Sequence, residues 1–206
     1  MSRRRGPSAD LSRKPASRNE KQLFALYCEG KLTEPEYFQA VIKAPEVRQV
    51  SSVSLKIKKK GELPLQLVEA ALRDLQSGFG ADEYWCVFDS ELPAQHPHFD
   101  AALRLAEAHG IRVAWSNPCF EVWLILHHED HRAPFDSSAS AKRRRRLIDQ
   151  IDKDGVDGSR YVPLIANAVA RARGLRASHS RNGNAGVKAN PSTNVDELMT
   201  AIGVQG

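Results

Sequence analysis

The run "LFALYCEG" (residues 23–30) constrains this chain more than any other stretch. Six apolar or small residues in succession read as a strand buried on both faces. Glu29-Gly30 then breaks the run, and "TEPEYFQAVIK" (33–43) follows with helical spacing, Thr33 and Glu36 forming a capping box. The same alternation recurs. "VSSVSLKI" (50–57) has strand period, with Val53, Leu55 and Ile57 on one side. "LPLQLVEAALRDLQSG" is a helix with Leu65, Val68, Leu72 and Leu75 on one face and Gly78 as its terminator. "EYWCVFD" (83–89) is a third strand, "FDAALRLAEAHG" (99–110) a helix closed by Gly110, and "IRVAWS" (111–116) a fourth strand. Strand–helix–strand alternation predicts α/β architecture, a Rossmann-like parallel sheet of about four strands flanked by helices and joined by right-handed crossovers.

Beyond Pro118 the strand signals stop. "FEVWLILHH", residues 142–152, residues 163–175 and "STNVDELMTAIG", the last with Thr193 as a cap, all read as helices, with a Gly/Asn/Ser-rich loop over 178–190. They form a C-terminal helical annex to the sheet, and no internal repeat is visible.

The net charge of +5 is not spread along the 206 residues. Residues 1–21 hold seven Lys/Arg and two Asp/Glu, and the rest of the chain is balanced. Rich in Arg, Ser and Pro, this tail cannot bury enough apolar surface to order itself, so residues 1–21 are expected to be a disordered basic arm and residues 22–206 the folded domain. No apolar run approaches the ~20 residues of a membrane span, and no apolar leader precedes the tail, which makes the cytoplasm the expected location. Cys28, Cys86 and Cys119 lack metal-finger spacing and read as buried thiols.

Ligands of open parallel sheets bind outside the carboxyl ends of the strands, where the winding reverses. Glu29 ends the first strand and Asp89 the third, and Glu91 points the same way as Asp89 if that strand continues. Three crowded carboxylates repel one another unless a cation neutralises them. Mg²⁺ suits all-oxygen ligands and keeps positions open for phosphate oxygens. Gly30 permits close backbone approach and Lys31 can steady a phosphate. Such parts serve metal-assisted cleavage of a phosphodiester, with Glu29 moving the proton. The alternative is that these carboxylates are only exposed strand ends or helix caps.

The segments "YCEGKLTEPEYF", "WCVFDSE", "SNPCFEVWLILHH" and "NPSTNV" together resemble the RloB family, from about residue 22 to the C-terminus. The Glu-Gly and Asp-x-Asp elements are also similar to the Toprim fold of topoisomerases, primases and small nucleases. The resemblance implies a Toprim-like domain over 22–206, a catalytic pair Glu29 and Asp89, and a metal set of Glu29, Asp89 and Glu91. It also implies a bacterial antiviral defence role beside an ATPase partner. The pattern's second Asp is here Glu91, whose extra methylene moves the carboxylate by ~1.5 Å, which leaves three outcomes open: contact with Mg²⁺ through a water, a softer geometry such as Mn²⁺, or no binding. Asn117 and Glu121 of "SNPCFEVW" are secondary site candidates, Glu121 equally suited to the first turn of a helix. His127, His128, Glu129 and His131 lack the His-Glu-x-x-His spacing of zinc proteases and read as a polar helix terminus.

Three local basic clusters, around Lys58, Lys59 and Lys60, around Arg143 and Arg144, and over 171–188, are candidate contacts to a nucleic-acid backbone, DNA or RNA. Each is also compatible with a solvated face. Two functions follow. One is a metal-dependent nuclease acting with an ATPase. The other is a non-catalytic component on the same scaffold that binds nucleic acid or regulates the ATPase. No nucleophilic tyrosine or gate domain points to topoisomerase chemistry.

Overall fold

The structure, a computed structural model, describes residues 21–57, 63–91, 98–151 and 155–204. Residues 1–20 of the basic tail and Lys58, Lys59 and Lys60 lie outside them. Four strands, β1 (Gln22–Cys28), β2 (Ser51–Ile57), β3 (Glu83–Asp89) and β4 (Arg112–Asn117), pair in parallel in the order β2-β1-β3-β4. A two-residue strand, β5 (Ser192–Thr193), joins β4 in the antiparallel sense. Eight helices are described: α1 (Thr33–Lys43), α2 (Pro45–Val50), α3 (Pro64–Gln76), α4 (Phe99–Ala108), α5 (Glu121–His128), α6 (Ser138–Asp149), α7 (Ile165–Arg181) and α8 (Val195–Ala201). The fold is a Rossmann-like α/β sheet flanked by helices.

Period-two alternation sorts the strand residues between two cores. Phe24, Leu26 and Cys28 of β1, with Trp85 and Val87 of β3, pack against α1, α2, α5, α7 and α8. Ala25 and Tyr27, with Tyr84, Cys86 and Phe88, pack against α3 and α4. The annex is therefore one whole layer of the sandwich, with its apolar side chains in the same core as the sheet. All three cysteines are free and buried.

Several local expectations change. Thr33 lies inside α1, whose N-cap is Leu32, and makes no capping bond. Glu36 instead accepts the Val156 amide at 2.6 Å, fastening the 156–158 turn to α1. The buried face of α3 is Leu67, Val68 and Ala71, which leaves Leu75 exposed, because the sheet lies one helical step round from the Leu65–Leu72 stripe. Helix α7 runs on to Arg181, shortening the expected loop. Two of its arginines turn inward. Arg171 donates to Leu126 and His127 carbonyls at the end of α5, and Arg176 grips buried Asp196 of α8.

The basic run of α6 is divided by helical rotation. Ala141, Arg145 and Asp149 form a buried stripe at i, i+4, i+8. Arg145, 1% exposed, pairs with Asp149 at 3.1 Å, and the Tyr161 hydroxyl donates to the same carboxylate. Arg144 is held by Glu129, and Arg143 is exposed. Only part of this cluster thus faces solvent.

Arg145→Ala is expected to destabilise the protein by about 3–5 kcal/mol, because it strands the Asp149 charge in the core. Urea denaturation checks this, and the double change Arg145→Met with Asp149→Leu should recover part of the loss.

Candidate functional site

The chain winds from β1 outward to β2, then crosses back over β1 to β3 and on to β4. The winding reverses between β1 and β3, and the crevice of such a sheet opens there at the carboxyl strand ends. Cys28 pairs with Val87, so Glu29 and Asp89 leave adjacent strands at the same edge. The Asp89 amide donates to Glu29 Oε2 at 3.1 Å, and the Glu29 amide donates to the Val87 carbonyl at 2.9 Å. These two bonds fix the Glu29 backbone and carboxylate against β3.

A cleft of ≈ 290 Å³ lies at this edge, lined by Glu29, Gly30, Lys31, Glu34, Asp89, Glu91, Glu121 and Lys142 among others. Glu34 projects from the first turn of α1, is 5% exposed, and accepts the Gly30 amide at 3.1 Å. A Cβ at position 30 would lie 1.8 Å from a Glu34 carboxylate oxygen, so a side chain there would displace the Glu34 carboxylate. Glu121 comes from the first turn of α5 and is equally buried.

The electrostatics follow from this crowding. Burial, then the nearby Glu121 and Glu29, pushes Glu34 up to about 7, against the pull of its hydrogen bonds to backbone amides. Burial, then Glu34, Glu121 and Glu29, raises Asp89 well above the usual carboxylate range, with Lys142 opposing. Desolvation pulls Lys142 down, but attraction to the surrounding carboxylates of Glu121, Asp89 and Glu91 outweighs it and holds Lys142 above its ordinary value. Cys119, buried behind the lining residue Phe120, is pushed up by burial and by Glu121 and Asp89, so it stays a thiol.

Glu91 differs from the sequence expectation. β3 ends at Asp89, and Glu91 has φ 52°, with its amide bonded to the Pro118 carbonyl at 3.0 Å. The chain turns before Glu91, which therefore borders the cleft from a loop instead of following Asp89 along one strand face. Asn117, wholly buried, donates to the Val187 and Ala189 carbonyls and holds the 186–189 turn. His127 is a core residue, bonded to the Trp123 carbonyl and the Tyr37 hydroxyl and pushed down to about 3, chiefly by burial. Glu34 and Lys142 were not singled out from the sequence. Glu34 is four residues past Gly30, within reach of its amide, and Lys142 was hidden at the head of an Arg run.

Among the described residues, no three His, Cys, Asp or Glu side chains are drawn together as a closed ligand set. What fits a cation is the donor chemistry: buried, mutually repelling carboxylate oxygens round one crevice, the kind of surroundings a hard divalent ion neutralises. Among the described residues, no helix is long and apolar enough to cross a membrane.

No curated protein and no solved structure was found to match this chain. The family model described as RloB-like protein matches residues 24–202, a span that holds the sheet apart from the first two residues of β1 and every residue of the cleft. The chain belongs to the RloB-like family.

Proposed function

We propose that this protein is a metal-dependent nuclease that hydrolyses phosphodiesters through the cleft at the β1/β3 edge. The observation that supports this most is the meeting of Glu29 and Asp89, from strands on either side of the winding reversal, in one crevice with Glu34 and Glu121. Glu29, Asp89 and Glu34 would hold Mg²⁺ or Mn²⁺, with Glu121 and Glu91 in reach through water. A divalent ion there supplies a water of lowered pKa and charge stabilisation for the leaving oxygen. The chain's own part is positioning. The Asp89 amide orients Glu29 toward the cleft, where its carboxylate is placed to accept a proton from attacking water. Gly30 and the α1 helix keep Glu34 beside it.

A Toprim-like description of the sheet is consistent with these positions. Action in bacterial phage defence with an ATPase partner rests on the family resemblance. A second reading, a non-catalytic scaffold that binds nucleic acid or regulates the ATPase, is favoured by one observation: Glu91 leaves the strand line and stands where the Asp-x-Asp pattern has Asp.

Cleavage of plasmid, single-stranded DNA and tRNA should require Mg²⁺ or Mn²⁺ and fall by about 10²-fold or more in Glu29→Gln and in Asp89→Asn. The assay is run on the chain alone and co-purified with an ATPase partner. Equal activity in wild type and both variants would sink the nuclease reading and leave the scaffold.

The acid cluster also predicts a pH dependence of stability. Glu34 ionises near its ordinary value when unfolded but only near about 7 when folded. The folded state thus holds the extra proton, and stability is lost as pH rises from about 4.5 to about 7. The difference in unfolding free energy between wild type and Glu34→Gln should shift by about 3 kcal/mol across that window, to the disadvantage of wild type at pH 8. Mg²⁺ should raise the wild-type melting temperature at pH 8 more than at pH 5, and Glu29→Gln should abolish the gain.

A further inference from the structure

The cleft contains a cation that is built in. Lys142 reaches it from α6, a helix of the annex, and not from the strand ends that supply the acids. The helix that carries it is anchored, while the Lys142 side chain is itself partly open to solvent. Ser137 and Ser140 close a capping box at the start of α6. Ala141, next to Lys142, is fully buried, and one turn on Arg145 is locked to Asp149 and Tyr161. Arg144 is tied to Glu129, which leaves Lys142 as the member of the run that turns to the crevice. The buried Cys119 thiol contacts the Ser138 carbonyl, so the first turn of α6 packs on the segment that carries Glu121.

We propose that Lys142 is a substrate-binding residue of this cleft, the group that holds a phosphate oxygen of a bound nucleic acid once a divalent ion has taken over the carboxylates. This rests on the nuclease reading above. The physical reason is a charge balance. With Glu29, Glu34, Asp89, Glu91 and Glu121 in the lining, a phosphate approaches against a negative field even when two positive charges are added. An ammonium carried on an anchored helix at the cleft lining offsets that field for the substrate. The same ammonium competes with an incoming metal ion for the carboxylates, so it acts with opposite sign on the two ligands. Lys31, on the exposed β1–α1 loop, is the outer cation of the same lining.

Opposite signs make the test specific. Mn²⁺ binding to the full chain is followed by calorimetry. Binding of labelled single-stranded DNA and of total tRNA is followed by anisotropy in Ca²⁺, so that the readout is affinity and not turnover. Lys142→Gln should bind Mn²⁺ about fivefold more tightly, from loss of one like charge at short range, and should bind the preferred nucleic acid about tenfold more weakly. Lys142→Arg should keep nucleic-acid affinity within about twofold, since its charge survives. A purely structural lysine would weaken both ligands together and lower the melting temperature, and that result overturns the proposal. So does unchanged affinity for either ligand in Lys142→Gln. Absence of Mn²⁺ binding or of nucleic-acid binding in the wild type overturns the nuclease reading itself, and with it this role.

Discussion

The parallel pairing of β1 with β3 is the constraint on which the rest of this molecule depends. Residues 29 and 89 are 60 positions apart, yet the Cys28–Val87 register sets them side by side. Shift that register by one residue and each strand would turn its other face to each core, exchanging Phe24, Leu26 and Cys28 for Ala25 and Tyr27. The apolar packing of two different helical layers therefore protects the alignment of two charged side chains. Hydrophobic burial supplies the energy, and the carboxylates are carried to a place they would not choose.

That cost is visible in the raised Asp89 and Glu34 carboxyls, and the chain offsets it locally. Backbone amides at Asp89 and Gly30 donate to Glu29 and Glu34, and Lys142 supplies a positive charge. Each of these devices stabilises an ionised group without filling the crevice. A functional site differs from a salt-bridged core in this way. At Arg145–Asp149–Tyr161 the charges are closed on one another and solvent is absent, whereas at the strand ends a cleft remains open.

Much of the sheet was legible in the sequence because its strands carry continuous apolar runs that stop at charged or glycine residues. The β3 boundaries, 83–89, and those of α1, 33–43, were readable to the residue. The order of the strands was not, since periodicity says nothing about neighbours. Glu29 and Asp89 could be named because each interrupts an apolar run. Glu34 could not, because a glutamate in a first helical turn has an ordinary explanation in the helix dipole. The Lys142–Arg146 run looked like one feature and became several, because successive residues on a helix are turned by 100° and meet different neighbours. For Glu91 the sequence left open whether the strand continues, and no sequence signal announced the left-handed turn that follows Asp89.

The cleft draws its walls from segments spread over more than half the chain, from Glu29 to Lys142. A polypeptide emerging from the ribosome acquires Glu29 and Glu34 early, Asp89 about sixty residues after Glu29, and Lys142 only after two-thirds of its length is made. Until α6 is made, the growing chain has strand ends but lacks part of the crevice lining. Whatever this pocket does, a product terminated before α6 is left without its full wall.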